Sequence, residues 1–170
     1  MSADASALPM TIDVTTRPLT ECDASLLRAA TLTNMNWTGE ERFTYRDADE
    51  SPSIRHYYDF RPKRGDFGLV AQKDGLVVGV VWVLFLGPAD RGYGFVAQGV
   101  PELSICVWSG YRADGIGSEL MRRSLEEARR RGLKRVSLSV EAANPSVNLY
   151  RKFGFQPVAD AAEGTYAVEL

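Results

Sequence analysis

The segment from Glu102 to Gly132 constrains the fold of this chain more than any other part of the sequence. β-branched and apolar residues from Ser104 to Val107 favour a strand, and Ser109-Gly110 interrupts it. Apolar residues then recur at helical spacing and predict a helix from Ser118 to Arg131 with Gly132 after its end. These apolar positions are Ile116, Leu120, Leu125 and Ala128. The segment is therefore predicted to fold as strand, turn, glycine loop and helix.

The loop from Arg112 to Ser118 has the composition of an anion-binding site. The first N–H groups of a helix lack partners within the helix, and the helix dipole is positive at that end. Gly115 and Gly117 place no Cβ between these N–H groups and a phosphate, and Arg112 adds a forked cationic donor. The alternative is a tight turn in which the glycines only satisfy the backbone geometry.

Two well-known phosphate-binding motifs do not match this loop. A P-loop requires Gly-Lys-Ser/Thr, whereas Gly117 is followed by Ser118 and Glu119. A dinucleotide fingerprint requires a third glycine three residues after the second, where this chain has Leu120. Both motifs are therefore excluded.

The loop instead matches Arg-x-x-Gly-x-Gly, and Arg112–Gly117 resembles the acetyl-coenzyme A pyrophosphate loop of the GNAT N-acetyltransferase superfamily. The preceding Leu103–Val107 is similar to the fourth strand of that family. Asn144–Phe155 is similar to its second signature, an Asn followed by Leu-Tyr and Gly-Phe. Two positions depart from the family pattern. Ala113 replaces a frequent glycine and is expected to fit if its φ is negative, and the Trp108–Gly110 turn lacks a frequent proline.

The resemblance implies an α/β (or α+β) fold with a mixed, mostly antiparallel sheet of six or seven strands and about four flanking helices. Nothing in the sequence suggests a repeat or a second domain, so we expect one N-acetyltransferase domain over residues 10–170 after a disordered stretch over residues 1–9. Other predicted strands are Thr11–Thr16, Phe67–Gln72, Leu76–Leu86 and 136–140, with a closing hairpin of 155–158 and 165–169. Asp74-Gly75 is typical of the turn of a β-hairpin.

The resemblance also implies acetyl-coenzyme A as the co-substrate. In the family, the fourth and fifth strands separate and the pantetheine arm pairs with the fourth through main-chain hydrogen bonds. A main-chain N–H near Val107 is then the candidate to stabilise a developing oxyanion. The cofactor-binding residues implied in this way are Ile105, Val107, Arg112, Ala113, Asp114, Gly115, Ile116, Gly117, Ser118 and Asn144.

Two residues are candidates for proton transfer. Tyr150 matches the tyrosine of the family's second signature, and a tyrosine with an ordinary pKa of about 10 can donate a proton to a departing thiolate. Glu102 opens the predicted fourth strand, where many family members carry a glutamate that acts as a base directly or through water. The alternatives are a core aromatic residue for Tyr150 and a surface carboxylate for Glu102. Glu141 and His56 are weaker candidates without placed partners.

The predicted function is acetyl transfer from acetyl-coenzyme A to a primary amine. A small-molecule acceptor is favoured because the sequence does not indicate an extended acidic groove for a basic peptide. The alternatives are a non-catalytic acyl-coenzyme A sensor and a protein N-terminal or lysine acetyltransferase. The segment 34–64 has no clear period, and the segment 87–100 is a glycine-rich connection that is long for a hairpin. The first carries aromatic and acidic residues suited to a cationic amine, and the second is either mobile or part of the substrate mouth.

Composition narrows the remaining classes. The formal net charge of −2 argues against general nucleic-acid binding. Two cysteines and one histidine in no ligand spacing give no metal site. The longest apolar run is too short to span a bilayer, and the N-terminus is unlike a signal peptide. We therefore expect a cytoplasmic protein without a membrane or nucleic-acid partner. Homodimers are common in the resembled family, but nothing in the sequence requires one.

Overall fold

The computed structural model describes residues 12–170. In this part of the chain, seven strands form one sheet in the order β1-β2-β3-β4-β5-β7-β6. The strands are β1 Thr15–Pro18, β2 Phe67–Lys73, β3 Leu76–Leu84, β4 Glu102–Val107, β5 Arg135–Ser139, β6 Gln156–Pro157 and β7 Thr165–Glu169. The α-helices are α1 Ala24–Met35, α2 Tyr45–Glu50, α3 Pro52–Arg55, α4 Ile116–Arg130 and α5 Val147–Lys152.

The sheet is antiparallel except between β4 and β5, which run parallel and pair at one position, Glu102 with Ser137. Beyond this position the two strands separate. Trp108 N–H donates to the Val78 carbonyl at 3.0 Å, so even-numbered β4 residues pair with β3. Because backbone groups alternate in direction along a strand, Ile105 and Val107 direct theirs into the gap beside β5.

Hydrophobic cores cover both faces of the sheet. α4 packs one stripe against the first face, which also carries Val81 and Val83 of β3. This stripe consists of Ile116, Leu120, Met121, Leu125 and Ala128. The second face, with Val80 and Trp82, packs against Leu27 of α1. Alternate side chains of β3 therefore enter opposite cores, as the period of two requires.

The structure confirms the predicted mixed, mostly antiparallel sheet, with seven strands and five α-helices among the described residues. The short helices α2 and α3 both lie in the segment 34–64, where the sequence shows no clear period. Asp74 and Gly75 both have positive φ and form the predicted hairpin turn between β2 and β3.

Several predicted boundaries differ from those in the structure. β3 ends at Leu84, and α4 begins at Ile116, two residues earlier than predicted. The earlier start of α4 follows from Gly115, which takes φ +79° and precedes the first helical residue. Of the first predicted strand, Thr15 and Thr16 are in β1. Residue 11 and the expected disorder of residues 1–9 lie outside the described residues.

Candidate active site

A cavity of about 660 Å³ lies where β4 and β5 separate. Ile105 and Val107 form one wall, and the loop before α4 closes one end. Ser139 and Val140 contribute from β5 and its end, and Tyr150 contributes from α5. The cavity thus joins the open backbone edge of β4 to the N-terminus of α4.

The two glycines of the loop differ in what they provide. Gly115 has φ +79°, and a Cβ there would lie 3.0 Å from Ile12, so the protein's own geometry requires glycine. Gly117 is helical, and a Cβ there would make ordinary contacts, 3.4 Å to Leu149 and 3.7 Å to Val107. Since all three of these residues line the cavity, glycine at 117 keeps space open in the cavity.

The first turn of α4 leaves N–H groups at the cavity. Its first helical hydrogen bond runs from Glu119 N–H to the Gly115 carbonyl at 3.1 Å. The N–H groups of Ile116, Gly117 and Ser118 precede this bond and therefore have no partner within the helix. Gly117 and Ser118 line the cavity, so these donors fit a bound phosphate.

The expectation for Ala113 was wrong in one respect, because its φ is +70° rather than negative. A left-handed conformation brings Cβ close to the following carbonyl and costs an L-residue roughly 1–2 kcal/mol. The neighbouring Arg112 donates from Nε to the Val107 carbonyl at 3.0 Å. This contact ties the strained loop to the end of β4, and Asp114 lies within the same loop.

Asn34 of α1 is a site residue that the sequence did not indicate. Its Nδ2 donates to the Ile105 carbonyl at 3.0 Å, so α1 is fastened to the open edge of β4. Asn144, which the second signature indicated, lines the cavity from the turn before α5. Its Oδ1 accepts from Ser146 N–H at 2.9 Å and so stabilises the turn before α5, whose N-cap residue is Ser146.

Tyr150 lies in the cavity wall and is 8% exposed. Its ring packs edge-on against Phe155, with centroids 6.2 Å apart. Burial raises the pKa of Tyr150 to about 12, because the charged phenolate would lose its hydration. The hydroxyl is therefore protonated at neutral pH, as a proton donor must be.

Glu102 is only 4% exposed and does not belong to the cavity wall. Its Oε1 accepts from the Tyr57 hydroxyl at 2.6 Å and from Gly94 N–H at 3.1 Å. Its Oε2 is buried and has no hydrogen-bond partner among residues 12–170. Burial raises the pKa of Glu102 to about 7, although both hydrogen bonds act in the opposite direction.

The connection between β3 and β4 covers Glu102. A Cβ at Gly92 would overlap Glu102 Oε2 and lie 2.8 Å from the Tyr57 hydroxyl. Tyr93 N–H donates to that hydroxyl at 2.7 Å. Because Tyr93 also lines the cavity, this stretch of the connection is part of the mouth.

The other side of the mouth is held by Glu141, just after β5. Glu141 accepts from Trp37 Nε1 at 2.7 Å and from both terminal nitrogens of Arg42 at 2.9 Å. The Arg42 guanidinium lowers the pKa of Glu141, with a smaller contribution from Trp37. Trp37, Phe43, Tyr57 and Tyr93 give the cavity an aromatic wall. His56, by contrast, pairs with Asp90 at 2.8 Å and is not in the wall.

A sequence model described as the Acetyltransferase (GNAT) family matches residues 32–155, which is most of the chain. The chain belongs to the GNAT acetyltransferase family. The prediction of an acetyltransferase of the GNAT family is therefore confirmed at the level of the family. The match includes the loop before α4 and extends to Phe155 in the second signature.

Curated GNAT relatives match over shorter stretches. The mycothiol acetyltransferase of Corynebacterium glutamicum is 40% identical over 80 residues, which are 43% of this chain and 27% of that protein. A putative [ribosomal protein bS18]-alanine N-acetyltransferase of Bacillus subtilis is 30% identical over 92 residues, 52% of this chain and 53% of that protein. The chain thus spans about half or less of the length of these relatives.

Solved GNAT structures have the same fold at low sequence identity. The GNAT domain of S. lividans PAT superposes with a TM-score of 0.66 at 18% identity, covering 92% of this chain and 90% of that chain. yncA of Salmonella typhimurium, a putative acetyltransferase solved with acetyl-coenzyme A, gives 0.65 at 20% identity over 93% and 94%. The predicted fold class is confirmed by these superpositions.

Within residues 12–170, no helix combines the length and apolar character needed to cross a membrane. In the same range, no three His, Cys, Asp or Glu side chains are grouped so that they could hold a metal ion. The cytoplasmic location, the single domain over residues 10–170 and the homodimer stay predictions.

Proposed function

We propose that this chain transfers an acetyl group from acetyl-coenzyme A to the primary amine of a small molecule. The observation that carries the proposal is the cavity in which the open backbone edge of β4 meets the N-terminus of α4. An extended thiol arm and a diphosphate need these two surfaces side by side. The sensor alternative needs them as well, so the proton-transfer groups distinguish the two functions.

The chain's residues fit the cofactor in two places, one for its diphosphate and one for its pantetheine arm. The N–H groups of Gly117 and Ser118 would hold the diphosphate, and the missing Cβ of Gly117 leaves room for it. The carbonyls of Ile105 and Val107 already accept from Asn34 and Arg112, so the N–H groups of Ile105 and Val107 would hold the pantetheine arm in the manner of an added strand. When bound, acetyl-coenzyme A supplies the acetyl group through its thioester. The implied contacts of Arg112, Ala113, Asp114, Gly115, Ile116 and Asn144 belong to the same proposal.

Two further groups support catalysis rather than binding alone. Tyr150 keeps its proton at neutral pH and lines the cavity, so its hydroxyl can serve as the acid for a leaving thiolate. Glu102 has a pKa of about 7 and can serve as the base that receives the amine's proton. A module that only senses the cofactor needs neither group.

The acceptor side supports an amine of modest size. Trp37, Phe43 and Tyr93 supply aromatic faces that attract a cation. The Glu141 carboxylate is already paired with Arg42, so it is not free to bind a long basic peptide. The names of the two relatives mention different compounds, mycothiol in one case and an alanine of a ribosomal protein in the other.

The test measures thiol release from acetyl-coenzyme A with a panel of small amines and, in parallel, short peptides with free N-termini or lysines. We expect acceptor-dependent release with small amines and about 10²-fold lower turnover in Tyr150→Phe at unchanged coenzyme A affinity. Release with peptides alone would favour the protein acetyltransferase. Coenzyme A binding without release across the panel would favour the sensor.

A further inference from the structure

Glu102 lies behind Tyr57 as viewed from the cavity. The carboxylate is absent from the cavity wall, whereas Tyr57 is part of it. The Tyr57 hydroxyl donates to Glu102 Oε1 at 2.6 Å. A substrate amine in the cavity therefore meets Tyr57 before it can meet the carboxylate.

Among residues 12–170, one acceptor position of the Tyr57 hydroxyl has no hydrogen-bond partner. A phenol oxygen has one proton to donate and two lone pairs to accept with. Its proton goes to Glu102, and one lone pair accepts from Tyr93 N–H at 2.7 Å. The second lone pair is then available to an N–H of a bound amine.

The ring of Tyr57 is fixed by its neighbours. It stacks on Tyr93 with ring centroids 5.9 Å apart. It also makes a T-shaped contact with His56, with ring centroids 4.5 Å apart. The Tyr57 carbonyl accepts from Trp82 Nε1 at 2.8 Å, which anchors the backbone to β3. These contacts hold the hydroxyl against Glu102 without help from a ligand.

We propose that Tyr57 contacts the acceptor amine and relays a proton from the amine to Glu102. Glu102 then acts as the base through Tyr57. The inference rests on the proposed acetyl transfer. In the step, an N–H bond of the ammonium breaks and its proton goes to Tyr57 Oη. The original Tyr57 proton moves to Glu102 Oε1 as the O–H bond breaks. The products are a neutral amine, an unchanged phenol and a protonated Glu102.

Electrostatics favour a concerted relay over a free phenolate. Burial and the adjacent Glu102 raise the pKa of Tyr57 far above its ordinary value, so the hydroxyl does not lose its proton alone. The titratable groups facing the pair are His56, with Asp90 behind it, and Tyr93. The neighbours from the sheet carry no charge; they are Trp82 of β3 and Ser137 of β5.

The experiment compares Tyr57→Phe, Glu102→Gln and the double variant on two amines of equal size. One amine is strongly basic, with a pKa of about 10, and the other is already neutral at the assay pH. With the basic amine, we expect each single variant to lose about 10²-fold in kcat, since general base catalysis contributes on this scale. The double variant should be no slower, because groups acting as one unit are non-additive. With the neutral amine, all variants should approach the wild-type rate.

Tyr58→Phe is the matched control. Its hydroxyl also donates to a carboxylate at 2.6 Å, that of Asp49, but Tyr58 does not line the cavity. We expect its rates with both amines to remain near those of the wild type. Thermal unfolding and coenzyme A affinity, measured for every variant, report any loss of structure.

Equal losses with both amines in Tyr57→Phe would show a structural role and overturn the relay while the proposed function stood. A full wild-type rate of Tyr57→Phe with the basic amine would also overturn the relay. If the wild type bound coenzyme A but acetylated no amine, the proposed function itself would fail, and the relay with it.

Discussion

The two ends of the cavity are built from different parts of the protein. The end that we propose for the cofactor, called the cofactor end, uses backbone groups from the loop 112–118 and from one edge of β4. The acceptor end uses side chains brought together from distant positions, which are Trp37, Tyr57, Tyr93 and Glu141, with Glu102 behind Tyr57. The geometry of the cofactor end therefore depends on the path of the backbone, and that of the acceptor end depends on the identity of the side chains that contact one another.

This difference determines what a substitution can do. At a backbone-built surface, a new side chain matters only if it fills space or moves the chain. At a side-chain-built surface, removing one group leaves a buried partner unsatisfied, which costs about 1–3 kcal/mol or more when the partner is charged. Substitutions at Glu102, Gly117 and Ala113 therefore test this contrast.

The largest effect is expected at Glu102. Because burial raises its pKa to about 7, the folded state disfavours the carboxylate. Below its ordinary pKa, Glu102 is neutral in the folded and the unfolded state and does not change the unfolding free energy. As the pH rises from there towards 7, Glu102 ionises in the unfolded chain before it ionises in the folded one, so the wild type loses stability. At 1.36 kcal/mol per pKa unit, the loss approaches about 3 kcal/mol. Glu102→Gln should therefore gain unfolding free energy relative to wild type between about pH 4.5 and 7.

Urea unfolding of both proteins at several pH values measures this gain. Glu41→Gln is the control, since it neutralises an exposed carboxylate that stays in water in the folded chain. A difference between Glu102→Gln and wild type that is constant with pH would show that Glu102 is hydrated, and the acceptor end would then be less buried than its contacts indicate.

The next effect concerns Gly117 at the cofactor end. A methyl group there would project between Leu149 and Val107 in the cavity without a clash. Gly117→Ala should therefore weaken coenzyme A binding by about tenfold, which corresponds to 1.4 kcal/mol. It should also raise the unfolding free energy by up to about 1 kcal/mol, since alanine is the better helix former.

Calorimetric titration with coenzyme A and denaturant unfolding measure these opposite changes. Gly110→Ala is the matched control, because a Cβ at that position meets nothing within 4 Å and the residue lies outside the cavity wall. Unchanged affinity in Gly117→Ala would mean that the diphosphate lies elsewhere, and the backbone-built end would lose its ligand.

The same contrast explains which parts of the fold and of the site could be predicted from the sequence. The cofactor end lies within one short loop and one strand, so Gly115, Gly117 and the helix signal identify it locally. The fold follows from the resemblance and from strand signals such as the continuous apolar run of β3 and the alternation of Val136 and Leu138 in β5. The predicted start of α4 was two residues too late, because the sequence does not show that Gly115 is the last residue of the loop.

The acceptor end could not be predicted because its contacts span the chain. Tyr57 and Glu102 are 45 positions apart, and Trp37 and Glu141 are 104 apart. The segment 34–64 shows aromatic residues without a period, so nothing in it singles out Tyr57 from Tyr58. The burial of Glu102 depends on Gly92, whose role appears only when the connection between β3 and β4 is folded over it.

The smallest effect is expected at Ala113, which adopts φ +70° in the loop. Ala113→Gly removes about 1–2 kcal/mol of left-handed strain but adds freedom to the unfolded chain worth about 0.4–1 kcal/mol. The net gain in unfolding free energy should be about 0.5 kcal/mol. Coenzyme A affinity should change less than twofold, because the loop is expected to bind through N–H groups that both residues possess.

Ala143→Gly provides the internal comparison, since Ala143 has a similar φ of +66° but lies in the turn after β5. Both variants should gain similar stability in denaturant unfolding, and neither should change coenzyme A affinity in calorimetry. If Ala113→Gly alone weakened binding severalfold, the Ala113 methyl group would itself contact the cofactor. The cofactor end would then depend on side-chain identity as the acceptor end does, and the distinction between the two ends would be lost.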